Sequence, residues 1–304
     1  MLHVGLIAPV GTLLERHAKD RPRQVAYWDS SRTVSYSELA RNTAAIAANF
    51  SKAGVRKRDK IAIYLPNGVD WVEACFAGLR AGAVLVPISY EAAEGEISYR
   101  LADAGCAAIV TTAARKDLIA RILVGAGLSP QVVYAGPGAE QAGLSMSGLA
   151  FAARGRPLDP ADIEQTSFII YTSGTTGRAK GVLLSVHSML WISAACWGPI
   201  CELSDKDVIL SSLPLFHSYA LNLSVLTVLA VGASEHILEK FSPQLALELM
   251  QTGKYTVFPG VPTMFHYLLN RAKEGGFERL GKIRLCISAG AIMPATLNRS
   301  FEEA

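Results

Sequence analysis

Short, continuously apolar segments alternate with helical segments along this chain, and that alternation restricts the fold more than any other feature. In the first half we interpret five segments as strand, helix, strand, helix and strand: 60–65, 69–81, 83–88, a helix ending at Ala104 before Gly105, and 107–110. Strands that are apolar at every position are typical of parallel sheets covered on both faces. The β–α–β–α–β order therefore predicts a parallel sheet with helices packed against it.

The same order returns in the second half of the chain. The corresponding segments are strand 208–213, helix 221–230, strand 234–238, helix 243–251 and strand 255–258. The same number of positions separates Asp59 from Asp207, Pro66 from Pro214, and Gly105 from Gly253. We therefore predict an α/β fold with two related, doubly wound, mainly parallel sheets with flanking helices, and a ligand cleft between them.

The residues between the two repeats predict a connection. Segment 136–159 is rich in Gly, Ala, Ser and Pro and has weak periodicity, so we expect it to lie mostly in surface loops. The predicted subdomains are residues 1–162, including this connection, and residues 163–304. After strand 283–287 the sequence ends with a helix over 294–303, where a parallel sheet would continue with another strand. We therefore expect the second subdomain to be part of a larger, incomplete domain.

Composition favours a soluble globular protein. Half of the 304 residues are hydrophobic and the formal net charge is +3, so we expect a large core and no nucleic-acid partner. The longest apolar run, 223–233, is too short to cross a bilayer. Five scattered cysteines without a CxxC pair, and a start without a basic leader, predict free thiols and a cytoplasmic protein.

The segment 171–182, YTSGTTGRAKGV, concentrates glycines, hydroxyl groups and cations directly after an apolar strand. Glycines let backbone N–H groups approach a ligand, hydroxyl groups add donors, and Lys180 adds a charge suited to phosphate oxygens. A Walker loop is excluded, because that motif places Ser or Thr after its Lys, whereas Gly181 follows Lys180. A polar hairpin without a ligand is the plainer alternative, but it needs fewer glycines and donors. We therefore expect a phosphate-binding loop of another type.

YTSGTTGRAKGV resembles the signature of the adenylate-forming superfamily, the AMP-binding enzymes that include acyl-CoA synthetases, luciferases and the adenylation domains of nonribosomal synthetases. Ala179 stands where relatives usually have Pro. Four other segments, spread over almost the whole chain, are similar to the same family: VRKRDKIAIYLPNGVDWVEACFAGLRAGAVLVPIS, LPLFHSYALNLSVL, FPGVPTMFHYLL and CISAGAIMP. The resemblance implies part of the large domain of the adenylate-forming fold, and a reaction in which a carboxylate attacks the α-phosphate of ATP.

The resemblance also implies roles for individual residues. The ATP phosphates would be held by Thr172, Ser173, Gly174, Thr175, Thr176, Gly177 and Lys180, with Mg²⁺ beside Thr172, and the adenine would lie beside Ala289, Gly290 and Ala291. The acid would bind beside His217, Tyr219, Gly260, Val261, Pro262 and Thr263. Lys180, His217 and Thr172 are the predicted catalytic residues. The plainer alternatives are a hydrogen-bonded core histidine at 217, a helix start at 260–263 and close backbone packing at 288–291.

The predicted function is that of the N-terminal part of an ATP-dependent carboxylic acid–CoA ligase, with Mg²⁺ as cofactor, coenzyme A as acceptor and a fatty or aryl acid as substrate. Relatives that select amino acids typically have Asp at the position of His217, so we expect a simple acid here.

The family's Tyr-Gly-x-Thr-Glu strand, its ribose-binding Asp and its lysine-bearing C-terminal domain do not occur in this sequence. We therefore expect the fragment to be weakly active or inactive, and we expect apolar surface left by the missing strands to promote self-association. Two alternatives stay open. One is an acyl-AMP ligase that loads an acyl carrier protein, and the other is a non-catalytic nucleotide- or acyl-binding module.

Overall fold

The computed structural model describes residues 2–152, 155–172, 178–276 and 281–303. The strands are β1 (Val25–Trp28), β2 (Thr33–Ser35), β3 (Lys60–Ile63), β4 (Val84–Pro87), β5 (Cys106–Thr112), β6 (Gln131–Ala135), β7 (Thr166–Thr172), β8 (Lys180–Ser185), β9 (Val208–Ser211), β10 (Ser234–Ile237), β11 (Val257–Gly260) and β12 (Leu285–Ser288). The α-helices are α1 (Val10–Asp20), α2 (Tyr36–Phe50), α3 (Val69–Arg80), α4 (Glu94–Ala104), α5 (Lys116–Ala126), α6 (Ala139–Ala142), α7 (Met146–Phe151), α8 (Val186–Ile192), α9 (Ser218–Ala220), α10 (Val228–Val231), α11 (Pro243–Gln251), α12 (Pro262–Gly275) and α13 (Ala295–Glu303). Short 3₁₀ segments lie at Val4–Leu6, Ser51–Ala53 and Ala113–Arg115, and π-helical segments at Ser193–Trp197 and Leu221–Thr227.

The strands form two six-stranded sheets with matching topology. The first sheet has the order β6-β5-β3-β4-β7-β8 and the second has the order β12-β11-β9-β10-β1-β2. Neighbouring strands are parallel except in the hairpins β7–β8 and β1–β2, which are antiparallel. The first four strands of the two orders correspond one to one, as the repeated punctuation of the sequence predicts. The α/β fold class with two related sheets is therefore confirmed.

Each sheet is completed by a hairpin from the other part of the chain. β1 pairs with β10, with Tyr27 opposite Glu235, so the N-terminal hairpin closes the second sheet. β4 pairs with β7, with Leu85 opposite Phe168, so the hairpin β7–β8 closes the first sheet. A boundary at residue 162 therefore does not separate the sheets. The phosphate-loop hairpin belongs to the first sheet, and not to the second subdomain in which the sequence analysis placed it.

The helices whose ends are marked by Gly or Pro in the sequence lie where the sequence predicts them. α3 begins at the predicted Val69, and α11 runs from Pro243 to Gln251 with Ser242 as its N-cap. α4 ends at Ala104, and Gly105 follows in the left-handed conformation with φ of +63°. Pro near a helix start and Gly directly after a helix end are local signals that the backbone enforces by itself.

The predicted surface connection over 136–159 is only partly a loop, because it contains α6 and α7. Met146 and Leu149 of α7 are buried, and Asn49 of α2 donates through Nδ2 to the Leu149 carbonyl at 2.9 Å. The predicted surface connection is therefore wrong for α7, whose buried side chains and hydrogen bond to α2 make it part of the packed fold.

One hydrophobic core is shared by both sheets. Alternate residues of the first sheet, such as Ile61, Ile63, Phe168 and Ile170, join this shared core. Residues between them, such as Ile169, instead face a smaller core beneath α4 and α5. The period-two alternation of a strand thus assigns each residue of β7 to one of two faces.

The most apolar run of the chain lies in a buried helix. α9, the π-helical segment and α10 form one continuous helix, and every residue from 220 to 230 is buried. Over the residues that the structure describes, no helix combines the length and the hydropathy that are needed to cross a bilayer.

The side-chain amide of Asn67 joins the two halves of the chain. Asn67 follows β3, and it donates through Nδ2 to the Leu213 carbonyl at 2.9 Å. Its Oδ1 accepts from the Leu215 backbone N–H at 3.0 Å. Leu213 and Leu215 follow β9, which corresponds to β3 in the duplicated topology. The Asn67 side chain therefore links the equivalent turns of the two halves by two hydrogen bonds.

We expect Asn67→Ala to lower the free energy of unfolding by about 1–3 kcal/mol, because it leaves a partly buried carbonyl and N–H without partners. Urea denaturation measures the change. Asn270→Ala, at an exposed position on α12, is the matched control and should stay within about 0.5 kcal/mol of the wild type. Equal losses for the two variants would contradict the linking role of Asn67.

Glu235 is a buried carboxylic acid in the middle of the second sheet. It is fully buried, and the Ser224 hydroxyl beside it donates to Ser211 Oγ instead. Neither carboxyl oxygen has a hydrogen-bond partner among the described residues. Burial raises the pKa of Glu235 well above its usual value, so the folded protein carries it protonated at neutral pH.

Because the folded state holds a proton that the unfolded state releases, this group favours folding fully only below its unfolded pKa, about 4.5, and less as the pH rises. Glu235→Gln should therefore raise the free energy of unfolding by on the order of 1–3 kcal/mol at pH 7, with little difference from the wild type at pH 4. Urea unfolding of both proteins between pH 4 and 8 measures this. The exposed control Glu248→Gln should show no such pH-dependent difference.

Candidate active site

A cavity of about 730 Å³ lies between the two sheets, at the carboxyl ends of their strands. Its walls come from the turns after β3, β4, β9 and β10, from the start of α12, and from Gly290 after β12. Ligand sites of open α/β sheets form at this edge, where the turns spread apart. The predicted cleft between the halves is present.

Four of the predicted substrate or nucleotide residues line this cavity: His217, Tyr219, Val261 and Gly290. Gly260 and Pro262 are buried behind the wall, and Thr263 is exposed outside it. A Cβ at Gly260 would lie 3.1 Å from Phe265 Cε2, so this glycine packs against α12. The helix α12 begins at Pro262 with Val261 as its N-cap, as in the plainer alternative of a helix start. Ala289 donates its backbone N–H to the Gly260 carbonyl at 3.2 Å, and Ala291 is exposed.

His217 and Tyr219 occupy different environments in the cavity. His217 is exposed immediately before α9, so it is not the buried core histidine of the plainer alternative. Tyr219 donates its hydroxyl to the Ile287 carbonyl at 3.1 Å, and burial raises the pKa of this phenol well above its usual value. Tyr219 is therefore a fixed, protonated wall residue, whereas His217 is free to meet a polar ligand.

The hairpin β7–β8 places two of the predicted catalytic residues opposite each other. Thr172 pairs with Lys180 in the antiparallel register, and both are exposed. Thr172 lies on the same face of β7 as Phe168 and Ile170, which belong to the core shared by the two sheets. Neither Thr172 nor Lys180 is among the residues that line the cavity. The predicted loop residues Ser173, Gly174, Thr175, Thr176 and Gly177 lie outside the described residues.

The equivalent hairpin of the second sheet carries its own anion. In the turn between β1 and β2, Asp29 Oδ2 accepts from the Val69 backbone N–H at the start of α3, at 2.8 Å. Burial opposes the charge, yet hydrogen bonds from Ser31, Val69 and Arg32 lower the pKa of Asp29 below its usual value. Hydrogen bonds therefore stabilise the negative charge of Asp29 in the turn of the hairpin β1–β2.

The sequence analysis missed the residues at the cavity mouth. Lys240 Nζ after β10 lies 3.4 Å from Glu91 Oε1 after β4, so an exposed ion pair joins the two halves. Arg115 supports the neighbouring wall, because it donates to the Tyr90 carbonyl at 3.2 Å and its guanidinium lies 4.5 Å above the Tyr90 ring. The sequence repeat could have identified this pair, because Glu91 follows β4 and Lys240 follows β10, which are corresponding strands of the two sheets.

The described residues contain no group of three or more His, Cys, Asp or Glu side chains placed to hold a metal ion. The Thr172 hydroxyl is the predicted metal ligand. It is exposed and pairs with Lys180, and an exposed hydroxyl fits a magnesium ion whose remaining ligands would be phosphate oxygens and water.

Comparison with known proteins agrees with this arrangement. Residues 14–304 match the profile of the AMP-binding enzyme family, and the chain belongs to this family. Feruloyl-CoA synthase of Amycolatopsis sp is 28% identical over 291 residues, which are 95% of this chain and 55% of that protein. 4-Coumarate–CoA ligase 5 of Oryza sativa subsp. japonica is 33% identical over 86% of this chain and 48% of that protein. The chain thus spans about half the length of the curated relatives it matches.

Solved structures share the fold. ATP-bound MatB from Rhodopseudomonas palustris superposes with a TM-score of 0.81 and 27% identity over 96% of this chain and 57% of that chain. The inhibitor-bound N-terminal domain of FACL13 from Mycobacterium tuberculosis has a TM-score of 0.84, at 24% identity, over 97% of this chain and 73% of that chain. The predicted adenylate-forming fold is confirmed.

Gly290 in the cavity wall has φ of +82°, and a Cβ there would lie 3.4 Å from Val261 Cγ1. We expect Gly290→Ala to lower the free energy of unfolding by about 1–2 kcal/mol, because L-residues are strained in this backbone conformation. Gly95→Ala is the control, since Gly95 lies in α4 with open space around it, and it should be neutral or stabilising. Thermal unfolding that ranks the two variants the other way would contradict this.

Proposed function

We propose that this chain carries the nucleotide- and acid-binding part of an ATP-dependent carboxylic acid–CoA ligase. The observation that supports it most is the pairing of Thr172 with Lys180 across β7–β8, where both residues are exposed. A hydroxyl group and an ammonium group at that place suit a triphosphate. The half-buried carboxylate of Asp29 at the equivalent hairpin supports the same assignment.

In the proposed reaction an acid oxygen attacks the α-phosphorus of ATP, and the bond to the leaving pyrophosphate breaks. The thiol of coenzyme A then displaces AMP from the acyl adenylate. The Lys180 ammonium and the Thr172 hydroxyl, with residues 173–177, hold the β- and γ-phosphates, which reduces the repulsion that an incoming carboxylate meets. The Thr172 hydroxyl would contribute a ligand to Mg²⁺, which would supply further positive charge to the leaving group.

The cavity favours an aryl or other apolar acid as the substrate. Phe216, Tyr219, Phe241 and Met264 line it, and its volume lies within the range of about 300–1,000 Å³ that is usual for small-molecule sites. His217 is exposed at this cavity, at the position where relatives that select amino acids typically have Asp, so this residue offers no carboxylate to an ammonium group. The relatives named above act on feruloyl and coumaroyl groups, which supports an aryl acid and coenzyme A as the acceptor.

Two further features support our proposals on environment and association. All five cysteines are free, and burial raises the thiol pKa of Cys106 and of Cys286 to about 12, which suits a cytoplasmic protein. Val182 and Leu183 on the edge strand β8 are 43% and 62% exposed, which favours self-association along that edge.

We expect the 304-residue chain to bind Mg-ATP in calorimetry, and Lys180→Ala to weaken that binding by roughly 5- to 150-fold, the equivalent of about 1–3 kcal/mol. Lys206→Ala is the matched control, because Lys206 is exposed in the turn before β9, at the amino end of that strand of the second sheet. An absence of ATP binding, or equal affinities for both variants, would sink the assignment.

Pyrophosphate release with Mg-ATP and a panel of aryl and fatty acids tests the chemistry. We expect a slow rate that depends on the acid and is highest with aryl acids. Mass spectrometry of products made with coenzyme A or with a carrier protein identifies the acceptor. Tight ATP binding without any acid-dependent pyrophosphate release would favour the non-catalytic binding module instead.

A further inference from the structure

Helix α4 holds both strands of the hairpin β7–β8 at the end that leads to residues 173–177. Tyr99 of α4 donates its hydroxyl to the Ala179 carbonyl at 3.0 Å. Tyr171 of β7 donates its hydroxyl to Asp103 Oδ2 at 2.6 Å. Tyr99 and Asp103 are four residues apart, so they project from one face of α4. A single helix face therefore contacts both the outgoing and the returning strand.

Ring contacts strengthen this attachment. The Tyr99 and Tyr171 rings meet edge to face, with centroids 6.1 Å apart. The Arg100 guanidinium lies 5.4 Å from the centroid of the Tyr171 ring, and an ion pair with Glu96 orients it. Edge-to-face and cation–π contacts of this kind are each worth a fraction of a kcal/mol to about 1.5 kcal/mol.

The sequence of β8 makes room for the attachment. Gly181 pairs with Tyr171, and a Cβ at Gly181 would lie 2.7 Å from Ile169 Cγ2 and 3.4 Å from Tyr171 Cζ. Because Gly181 lacks a side chain, the Tyr171 ring can lie over β8 and reach Asp103. The glycine of the loop motif thus serves the hairpin's packing as well as any approach of a ligand.

The rest of the sheet gives this end of the hairpin little support. β8 is an edge strand, and β4, the neighbour of β7, ends at Pro87. Within the described ranges, α4 provides the only side-chain hydrogen bonds to residues 171, 172 and 178–180. Thr172 and Lys180 face away from α4, so the helix contacts the hairpin on the face opposite to these two side chains.

We propose that Tyr99 and Asp103 are positioning residues that set the geometry of Thr172 and Lys180 for the β- and γ-phosphates. The inference rests on the proposed function, because it takes the hairpin to hold a nucleotide triphosphate. It extends that function to a helix that contributes no cavity-lining residue. A positioning role of this kind acts on the phosphates beyond the α-phosphate, so it distinguishes ATP from AMP.

Calorimetry with Mg-ATP and with AMP on the 304-residue chain tests the inference. Tyr99→Phe and Asp103→Ala should each weaken Mg-ATP binding by about 2- to 12-fold, as expected for the loss of one hydrogen bond of about 0.5–1.5 kcal/mol. The affinity for AMP should stay within twofold of the wild type. Asp103→Asn keeps an oxygen acceptor for Tyr171 and should restore Mg-ATP affinity to within about twofold.

Two controls separate this role from general stability. Tyr267→Phe removes an exposed hydroxyl on α12 and should change neither affinity. The double variant Asp103→Ala/Tyr171→Phe should bind Mg-ATP no more weakly than Asp103→Ala alone, because both changes remove the same hydrogen bond. Unchanged Mg-ATP affinity in both single variants would overturn the inference, and so would parallel losses for ATP and AMP with a lowered melting temperature.

Amide hydrogen exchange of the peptide over residues 168–185 gives a readout that does not depend on nucleotide. Tyr99→Phe and Asp103→Ala should speed exchange in that peptide, with the rest of the chain unchanged. If the wild type bound no ATP, the proposed function would fail, and this measurement would still decide whether α4 restrains the hairpin. Unchanged exchange in both variants would overturn the restraint itself.

Discussion

The shared core between two sheets that exchange hairpins is the constraint on which the cavity depends. Strands β1 and β7 each leave their own part of the chain to pair with β10 and β4. The Asn67 amide then joins the turns after β3 and β9. The carboxyl ends of both sets of strands are thereby held facing each other, so the turns after four strands surround one space.

Tertiary contacts hold in place the side chains of the candidate site at the carboxyl ends of the strands. Thr172 and Lys180 are opposed because of the hairpin register, and α4 braces that hairpin from behind. On the far wall Tyr219 is tied to the Ile287 carbonyl, and Arg115 holds the Tyr90 wall. The apolar cavity between the sheets has a volume that is usual for small-molecule sites.

The sequence predicts the inner strands and their helices well, because burial on both faces leaves continuous apolar runs and because Gly105 and Pro243 mark ends locally. It does not predict the exchange of hairpins. β1 and β2 are only four and three residues long, and β10, the partner of β1, lies far along the chain. The site shows the same division. Lys180 and Thr172 stand in a local motif, whereas Glu91, Lys240 and Asn67 gain their places only through contacts between the halves.

The N-terminal hairpin also has a consequence for how the protein is made. During synthesis Tyr27 leaves the ribosome long before Glu235, its partner across the second sheet. At translation speeds of 5–20 residues per second, this delay is roughly 10–40 s. Throughout that interval β1 and β2 have no sheet to join, and the nascent polypeptide must keep these edges shielded until its later portion emerges.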